Sequence, residues 1–236
     1  MLVTWTTLEL SAPRSVCPWR PEGAVFTQAG QAGAGVAAVP DFGGTWWSVL
    51  STWDDPEAAW TAPPVGGGVR AAWHAVLEPV SYRGDAVLSG GARPFADLPA
   101  RGKVAGAAAV LTLAGFGPDP DRAAEFFERF ALLGADVQAA QGHRAALVQA
   151  PEDGAVLTFS AWQTLRDAVT WAYHRDTHAG TVRRHEDHGL LATTGFLRCA
   201  VLGSRGTLRD LALRDHDPLA GLTGVPVPTT RPEEHL

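Results

Sequence analysis

One pattern occurs twice in this chain and limits the folds that it can adopt. The stretch GTWWSVLSTWDDPEAAW in the first half matches AVLTFSAWQTLRDAVTW in the second. Each copy indicates a strand that ends at a tryptophan, Trp53 or Trp162, and a helical segment that ends at another, Trp60 or Trp171. Two β-α-β-β-α-β units can pack their sheets face to face and bury both apolar faces. The sequence therefore predicts the α+β class, with tandem ferredoxin-like repeats forming an intrachain α+β barrel.

The chain divides at a stretch rich in glycine, proline and alanine. Residues 85–102 form this stretch, which predicts a linker between a degenerate repeat at residues 1–84 and a second repeat at residues 103–213 that carries the site. The Pro-rich polar end, residues 214–236, predicts a mobile tail. Apolar runs predict strands at Val3–Leu10, Val25–Ala29, Thr45–Trp53, Arg70–Tyr82, Val104–Leu113, Arg144–Gln149, Val156–Trp162 and Phe196–Leu202. Helices are expected at Asp119–Leu133, at Leu165–Tyr173 with Thr164 as its N-cap, and at Thr177–His188 ended by Gly189, with a shortened start of one at Asp54–Trp60.

Composition and charge exclude several classes of partner. The net charge is −6 and there is no basic block, which excludes nucleic acid. The apolar runs are too short for a membrane span, and the N-terminal residues lack the pattern of a signal peptide, so a cytoplasmic protein is expected. Two cysteines, Cys17 and Cys199, predict no disulfide framework.

Several stretches, spaced over nearly the whole chain, resemble a known family. The second half carries TFSAW followed by a helix, then His178, then a strand that ends RCAVLG. The first half carries GQAGAG with Val39-Pro40-Asp41, and LEPVSYRG with Arg93-Pro94-Phe95 downstream. In this order they resemble the spheroidene monooxygenase family of carotenoid biosynthesis. The resemblance implies the same barrel and an oxygenase that uses haem b (heme b) and O₂, receives electrons from a donor such as ferredoxin, and acts on a hydrophobic substrate.

The resemblance also implies two site residues and one difference. The family's histidine falls at His178 and its arginine at Arg198. Where the family has an aromatic-acidic run before the last strand, this chain has Leu190–Thr194. The reaction type is therefore implied more firmly than a carotenoid substrate, and we expect a small or medium apolar metabolite of a biosynthetic pathway.

His178 is the expected catalytic, haem-binding and iron-binding residue. A neutral imidazole on a helix that faces a barrel cavity can bind haem iron through Nε2, while Nδ1–H is held by a carbonyl or a carboxylate. The alternative is a surface histidine in a polar helix, which the neighbours Arg175 and Asp176 favour.

Two other histidines could share the helical stripe of His178. His174 lies one turn before it and His185 two turns after it. With a nearby carboxylate, this spacing also suits a mononuclear non-haem metal site. Embedded arginines repel a cation and favour a solvated charged face, and the same alternative holds for His188. The residues concerned are the carboxylates Glu186 and Asp187 and the arginines Arg175, Arg183 and Arg184.

Arg198 and Cys199 lie side by side in an apolar strand. If Arg198 points inward with Phe196 and Ala200, the buried guanidinium needs a partner, and a haem propionate would serve. If Arg198 points outward, it is an ordinary strand-face arginine. Cys199 then faces the other way, either as an axial thiolate or, because no electropositive helix end is evident, as a buried structural cysteine.

Two further features are interpreted as structural. Although GQAGAG resembles a dinucleotide fingerprint in letters, it lies in no β-α-β unit with a following helix and acidic residue, which excludes a Rossmann site. Tryptophans are expected in the core, where some could line an apolar cavity. These are Trp46, Trp47, Trp53, Trp162 and Trp171.

The sequence-based hypothesis is a haem-dependent monooxygenase-like oxidoreductase, with His178 as axial ligand and Arg198 as charge partner. Three alternatives stay open. The first is a haem enzyme of the same fold that dehydrates or rearranges a nitrogen-containing substrate. The second is a non-catalytic barrel that binds haem or an apolar ligand. The third replaces haem with a metal on the His174, His178 and His185 stripe. The oligomeric state is left open.

Overall fold

The computed structural model describes residues 1–33, 43–63, 65–174, 178–180, 183–185, 189–209 and 215–227. Within these ranges the chain is a mixed α+β protein dominated by antiparallel strands, which confirms the predicted class. Its helices are α1 (Pro120–Gln138) and α2 (Leu165–His174). Its strands are β1 (Leu2–Leu10), β2 (Phe26–Ala32), β3 (Trp46–Trp53), β4 (Val69–Gly84), β5 (Lys103–Gly106), β6 (Ala108–Gly115), β7 (His143–Ala150), β8 (Val156–Trp162), β9 (Thr193–Gly206), β10 (Leu208–Arg209), β11 (Asp215–His216) and β12 (Gly224–Val227).

Eight of these strands close into one barrel, in the order β1-β3-β2-β7-β8-β6-β9-β4 with β4 paired back to β1. The first half contributes β4-β1-β3-β2 and the second β9-β6-β8-β7, so corresponding strands occupy the same places in each half. The halves join through the β2–β7 pair and the long β4–β9 pair. At the first of these joins, a Cβ on Gly30 would lie 2.6 Å from the Ala150 carbonyl oxygen, so only glycine allows the two backbones to approach this closely.

The barrel interior is filled by alternate residues of all eight strands. Every second side chain faces inward because successive side chains of a strand alternate between its faces. At the centre, Trp5 stacks on Phe159 with ring centroids 5.3 Å apart, and Trp73 meets the same phenyl ring edge-on at 5.8 Å. These three side chains are essentially inaccessible to solvent. The interior is therefore a packed core.

Residues predicted as a linker or a mobile tail complete this core. Within residues 85–102, Ala86, Leu88 and Phe95 join the interior cluster. Glycine and proline make the backbone of this stretch irregular, yet its apolar side chains are buried with those of the barrel, so it is not a free linker. The tail prediction is wrong for residues 215–227: β12 pairs with β5, and Leu219 is buried in the same cluster. Residues 228–236 lie outside the described ranges.

The outer wall of the second half is covered by both helices. The predicted helix at Asp119–Leu133 is observed as α1, five residues longer at its C-terminal end, and it packs Phe126 and Phe130 against the wall. Thr164 caps α2 as predicted: its hydroxyl oxygen accepts from the Asp167 amide at 3.2 Å. In the first half, Ala58–Trp60 forms a single 3₁₀ turn in place of a helix.

Candidate functional site

His178 lies outside the barrel, which corrects the expectation that it faces a cavity inside. It belongs to a helical segment, residues 178–180, that follows α2 on the outer wall. Its imidazole packs against the indole of Trp171, with ring centroids 4.6 Å apart. The inward positions of β6, β8 and β9 are already taken by the packed core, so a residue that follows α2 can approach only the outer face of these strands.

The protonation state of the His178 ring follows from its hydrogen bond and its burial. Its Nδ1 lies 2.8 Å from the Ala172 carbonyl oxygen, and since a carbonyl only accepts, Nδ1 carries the proton. Burial lowers the pKa of this imidazole, against the opposing effects of the Ala172 carbonyl and the Asp136 charge. The ring is therefore neutral at pH 7, with its lone pair on Nε2. No described residue forms a hydrogen bond with Nε2.

A chain of ring contacts runs inward from His178. Trp171 packs on Trp162 with centroids 5.6 Å apart, and Trp162 meets the ring of His143 edge-on at 5.2 Å. Asp136 of α1 accepts a hydrogen bond from Trp171 Nε1 at 3.2 Å. The predicted core role of Trp162 is confirmed by its 1% exposure, while Trp171 is half-buried. Sequence reasoning did not single out Asp136, although it is the one carboxylate between Phe130 and Gln141, a signal that could have drawn attention to it.

Arg198 also faces outward, which corrects the inward orientation proposed from strand alternation. Its neighbours in register are Val110 of β6 and Ser81 of β4, whereas Leu197 and Cys199 point into the barrel. Arg198 as a residue is half-buried, and no described residue forms an ion pair or a hydrogen bond with its guanidinium. Val110 belongs to the same apolar cluster as Trp171, so Arg198 and His178 lie on the same side of the sheet.

Cys199 is a structural residue. Its thiol is fully buried in the barrel core, and burial raises the pKa of this thiol far above its ordinary value. A thiolate ligand at this position is therefore not available at neutral pH, in agreement with the structural alternative for this residue.

The other histidines of the stripe do not converge on a metal site within the described residues. His185 Nδ1 accepts a hydrogen bond from the Leu191 amide at 3.2 Å, and the His185 carbonyl accepts one from the amide of Gly189, whose φ is 64°. The end of the helix predicted at Thr177–His188 lies outside the described residues. The described part of the chain holds no cluster of three or more potential ligands. The side chain of His174, and all of Glu186, Asp187 and His188, lie outside what the structure describes.

One surface cleft of about 240 Å³ lies between the start of α1 and the segment that follows His178. Its walls are charged: Glu125 bridges Arg129 and Arg184, and Asp119 pairs with Arg122. A polar cleft of this size suits neither a porphyrin nor an apolar metabolite.

Comparisons with known proteins show no family. No protein-family model and no curated protein matches the sequence. Among solved structures, an aldoxime dehydratase aligns at 9% identity with a TM-score of 0.48, covering 94% of this chain and 84% of that one. A candidate monooxygenase of Fusobacterium nucleatum aligns at 10% identity and 0.41, over 92% and 97%. An anthrone oxidase-like protein aligns at 14% and 0.34, over 87% and 92%. Scores below 0.5 establish neither a shared fold nor a shared activity.

Neither α1 nor α2, nor any shorter helical segment in the described ranges, has the length and apolar character of a bilayer span.

Proposed function

We propose that this protein is a haem-binding oxidoreductase of the monooxygenase type, in which His178 would hold the iron. The observation that carries the proposal is the state of that ring: Nδ1–H is held by the Ala172 carbonyl and Nε2 has no described partner. A backbone acceptor on the distal ring nitrogen is the usual way in which proteins fix the tautomer and orientation of a ligating histidine.

The residues fit haem b on the outer face of the sheet and not inside the barrel. The interior is filled by Trp5, Trp73 and Phe159. On the outer face, Val110 and Phe196 offer partly exposed apolar surface beside Arg198, and Phe196 is 43% exposed. An arginine without a described partner, on a half-buried residue next to apolar surface, suits the carboxylate of a propionate.

We assign a separate role to each of the residues on this outer face of the sheet. His178 would hold the iron through Nε2, and Arg198 would pair with a propionate. Trp171 packs against the imidazole and restricts water on that side of it. When bound, haem b would supply the activation of O₂, and a one-electron donor of the ferredoxin class would supply the electrons.

The surface around Arg198 supports the proposed substrate class. Val110, Thr112 and Phe196 are partly accessible on neighbouring strands, and they suit a small or medium apolar metabolite. We also propose that the two halves are diverged ferredoxin-like repeats, because the strand order β4-β1-β3-β2 matches β9-β6-β8-β7 and both helices of the second half cover one face.

A haem protein without turnover is the second candidate. The described groups around His178 include no second titratable side chain hydrogen bonded to its ring, so acid–base help is not evident there. Rearrangement of a nitrogen-containing substrate at the iron would have the same requirement for His178 and would differ in needing no O₂.

Titration of the purified protein with hemin tests the proposal. We expect a Soret band that saturates at one haem per chain and is lost in H178A. The matched control is H185A, because His185 Nδ1 is occupied by the Leu191 amide. Turnover that requires O₂ and a reductant then separates an oxygenase from the rearrangement and from a binding protein. A band that survives H178A, or no band in the wild-type protein, would contradict the proposal.

A further inference from the structure

Trp171 and its neighbour Trp162 differ in whether the indole N–H has a hydrogen-bond acceptor, and this difference decides which of them can lose an electron. Trp171 Nε1–H is hydrogen bonded to the Asp136 carboxylate at 3.2 Å. Trp162 Nε1 is buried and has no described hydrogen-bond partner. Loss of an electron makes an indole N–H strongly acidic, so an oxidised Trp171 can pass its proton to the carboxylate. An oxidised Trp162 would remain a cation in an apolar cluster, which is electrostatically unfavourable.

A second indole–carboxylate pair shows that the location of the tryptophan in the fold matters as well as its hydrogen bond. Trp73 Nε1 donates to the Asp217 carboxylate at 2.8 Å, but Trp73 is fully buried in the barrel core. Trp171 is instead on the outer wall, half-buried and 4.6 Å, centroid to centroid, from the ring of His178. Such ring contact is close enough for rapid electron exchange between the indole and a centre held by the imidazole.

We propose that Trp171 is a redox-active positioning partner of His178 that delivers one electron to an oxidised haem centre held there, with Asp136 accepting the indole proton. A bound haem raised above the ferric level by O₂ and the donor's electrons would be the oxidant. Trp171 would lose one electron to it, the Nε1–H bond would break, and the proton would move to Asp136 Oδ2. A donor of the ferredoxin class returns the electron to the indolyl radical, and the proton returns from Asp136. The identity of the oxidised centre rests on the proposed function, whereas the redox behaviour of Trp171 and Asp136 does not.

The experiment generates a photochemical oxidant close to Trp171, so that it requires no haem. Tyr173 is 64% exposed on α2, two residues after Trp171, and Y173C provides an attachment point for a ruthenium polypyridyl complex. The native cysteines Cys17 and Cys199 are both buried and are not expected to take the label in the folded protein. Flash-quench oxidation of the labelled protein is followed by transient absorption and by electron paramagnetic resonance.

Three variants in this labelled background separate the outcomes. We expect a neutral indolyl radical in the parent, a several-fold lower radical yield in W171F, and a shorter-lived protonated cation radical in D136N, where the amide still accepts but cannot take the proton. W60F, which removes a 38% exposed tryptophan from the first half, should leave the signal unchanged.

An unchanged radical yield in W171F would overturn the role of Trp171, and a neutral radical of normal lifetime in D136N would overturn that of Asp136. Circular dichroism confirms that each variant is folded, and D136N decides the question if W171F is not.

The two proposals fail separately. A missing Soret band would remove the haem centre and leave the radical result intact. A missing tryptophan radical would leave haem binding through His178 intact.

Discussion

At the scale of single residues, three histidines of the chain differ in their hydrogen bonds and in the groups packed around them. His74 is fully buried between the Thr6 hydroxyl and the Ala59 carbonyl, each 2.8 Å away, and it fixes the 3₁₀ turn on the outer wall. His143 is packed against Trp162, and its Nε2 is a buried atom with no described partner. His178 is held by one backbone carbonyl. Burial lowers the pKa of all three. His143 and His178 each have one backbone hydrogen bond at the ring and an Nε2 without a described partner, but the Nε2 of His143 is buried beside Trp162.

We expect the buried His143 to make the folded protein less stable in mild acid. Burial lowers the pKa of this imidazole from 6.5 to about 4. Between these values the unfolded chain binds the proton and the folded chain does not, so stability rises with pH across this window and is lost as the pH falls from 6.5 toward 4. The full effect is at most about 3 kcal/mol. In denaturant unfolding measured from pH 7 to pH 4, H143F should flatten this dependence. The slope that remains should come from His74 and His178 and, near pH 4, from Glu125 and Asp153, whose pKa values are lowered by hydrogen bonds. An unaltered slope in H143F would show that His143 is not the source.

At the scale of elements, periodicity predicted most strands and α1, because alternation and helical spacing depend on local sequence alone. It could not predict which face of β9 is the inner one. Both walls of this barrel are apolar, the inner one in the core and the outer one under the helices, so alternation left both orientations of Arg198 open and the inward one is wrong, whereas the prediction of Cys199 as a buried structural residue is confirmed. The inward position expected for His178 followed from the resemblance and not from strand alternation. The helix expected at Asp54–Trp60 is reduced to the 3₁₀ turn Ala58–Trp60, because Pro56 before it and Pro63 and Gly66–Gly68 after it do not continue a helix.

The start of α2 depends on one side chain and can be tested by its removal. Thr164 accepts from the Asp167 amide and donates to the Asp167 carboxylate at 2.6 Å. T164A should lower the free energy of unfolding by about 1 kcal/mol, because both contacts at the cap are lost. Thr170 is exposed within the same helix and provides the matched control. T170A should be neutral or slightly stabilising, because alanine has the higher helix propensity. Equal losses in both variants, measured by urea unfolding, would show that the cap contributes nothing.

At the scale of the whole molecule, the barrel depends on the long β4–β9 pair that joins the two halves. The duplicated strand-helix pattern predicted a barrel within one chain, and the observed closure has that form. The sequence could not show that Leu88, Phe95 and Leu219 complete its core, since glycine- and proline-rich stretches carry no periodicity from which burial can be inferred. The halves are therefore one cooperative body, and we expect them to unfold in a single transition.

Closure of the barrel can be tested at Gly206, which lies in the β4–β9 strand pair. Gly206 has φ of 85°, and a Cβ there would overlap the Ala72 carbonyl oxygen. Gly23 has φ of 81° but opens onto empty space, so it controls for backbone conformation alone. G23A should cost about 1–2 kcal/mol for the positive φ. G206A should cost about 1–3 kcal/mol more because the β4 backbone must shift. Equal costs in thermal or urea unfolding would mean that the join tolerates a side chain.

The position of the iron tests the central claim most directly. Crystals of the hemin-loaded protein, measured at the iron absorption edge, would show the metal as a peak in the anomalous difference map. We predict one peak per chain, at bonding distance from His178 Nε2 on the outer face of the sheet, with a propionate against Arg198. A peak at another residue, or no peak in crystals of protein saturated with hemin, would contradict the account.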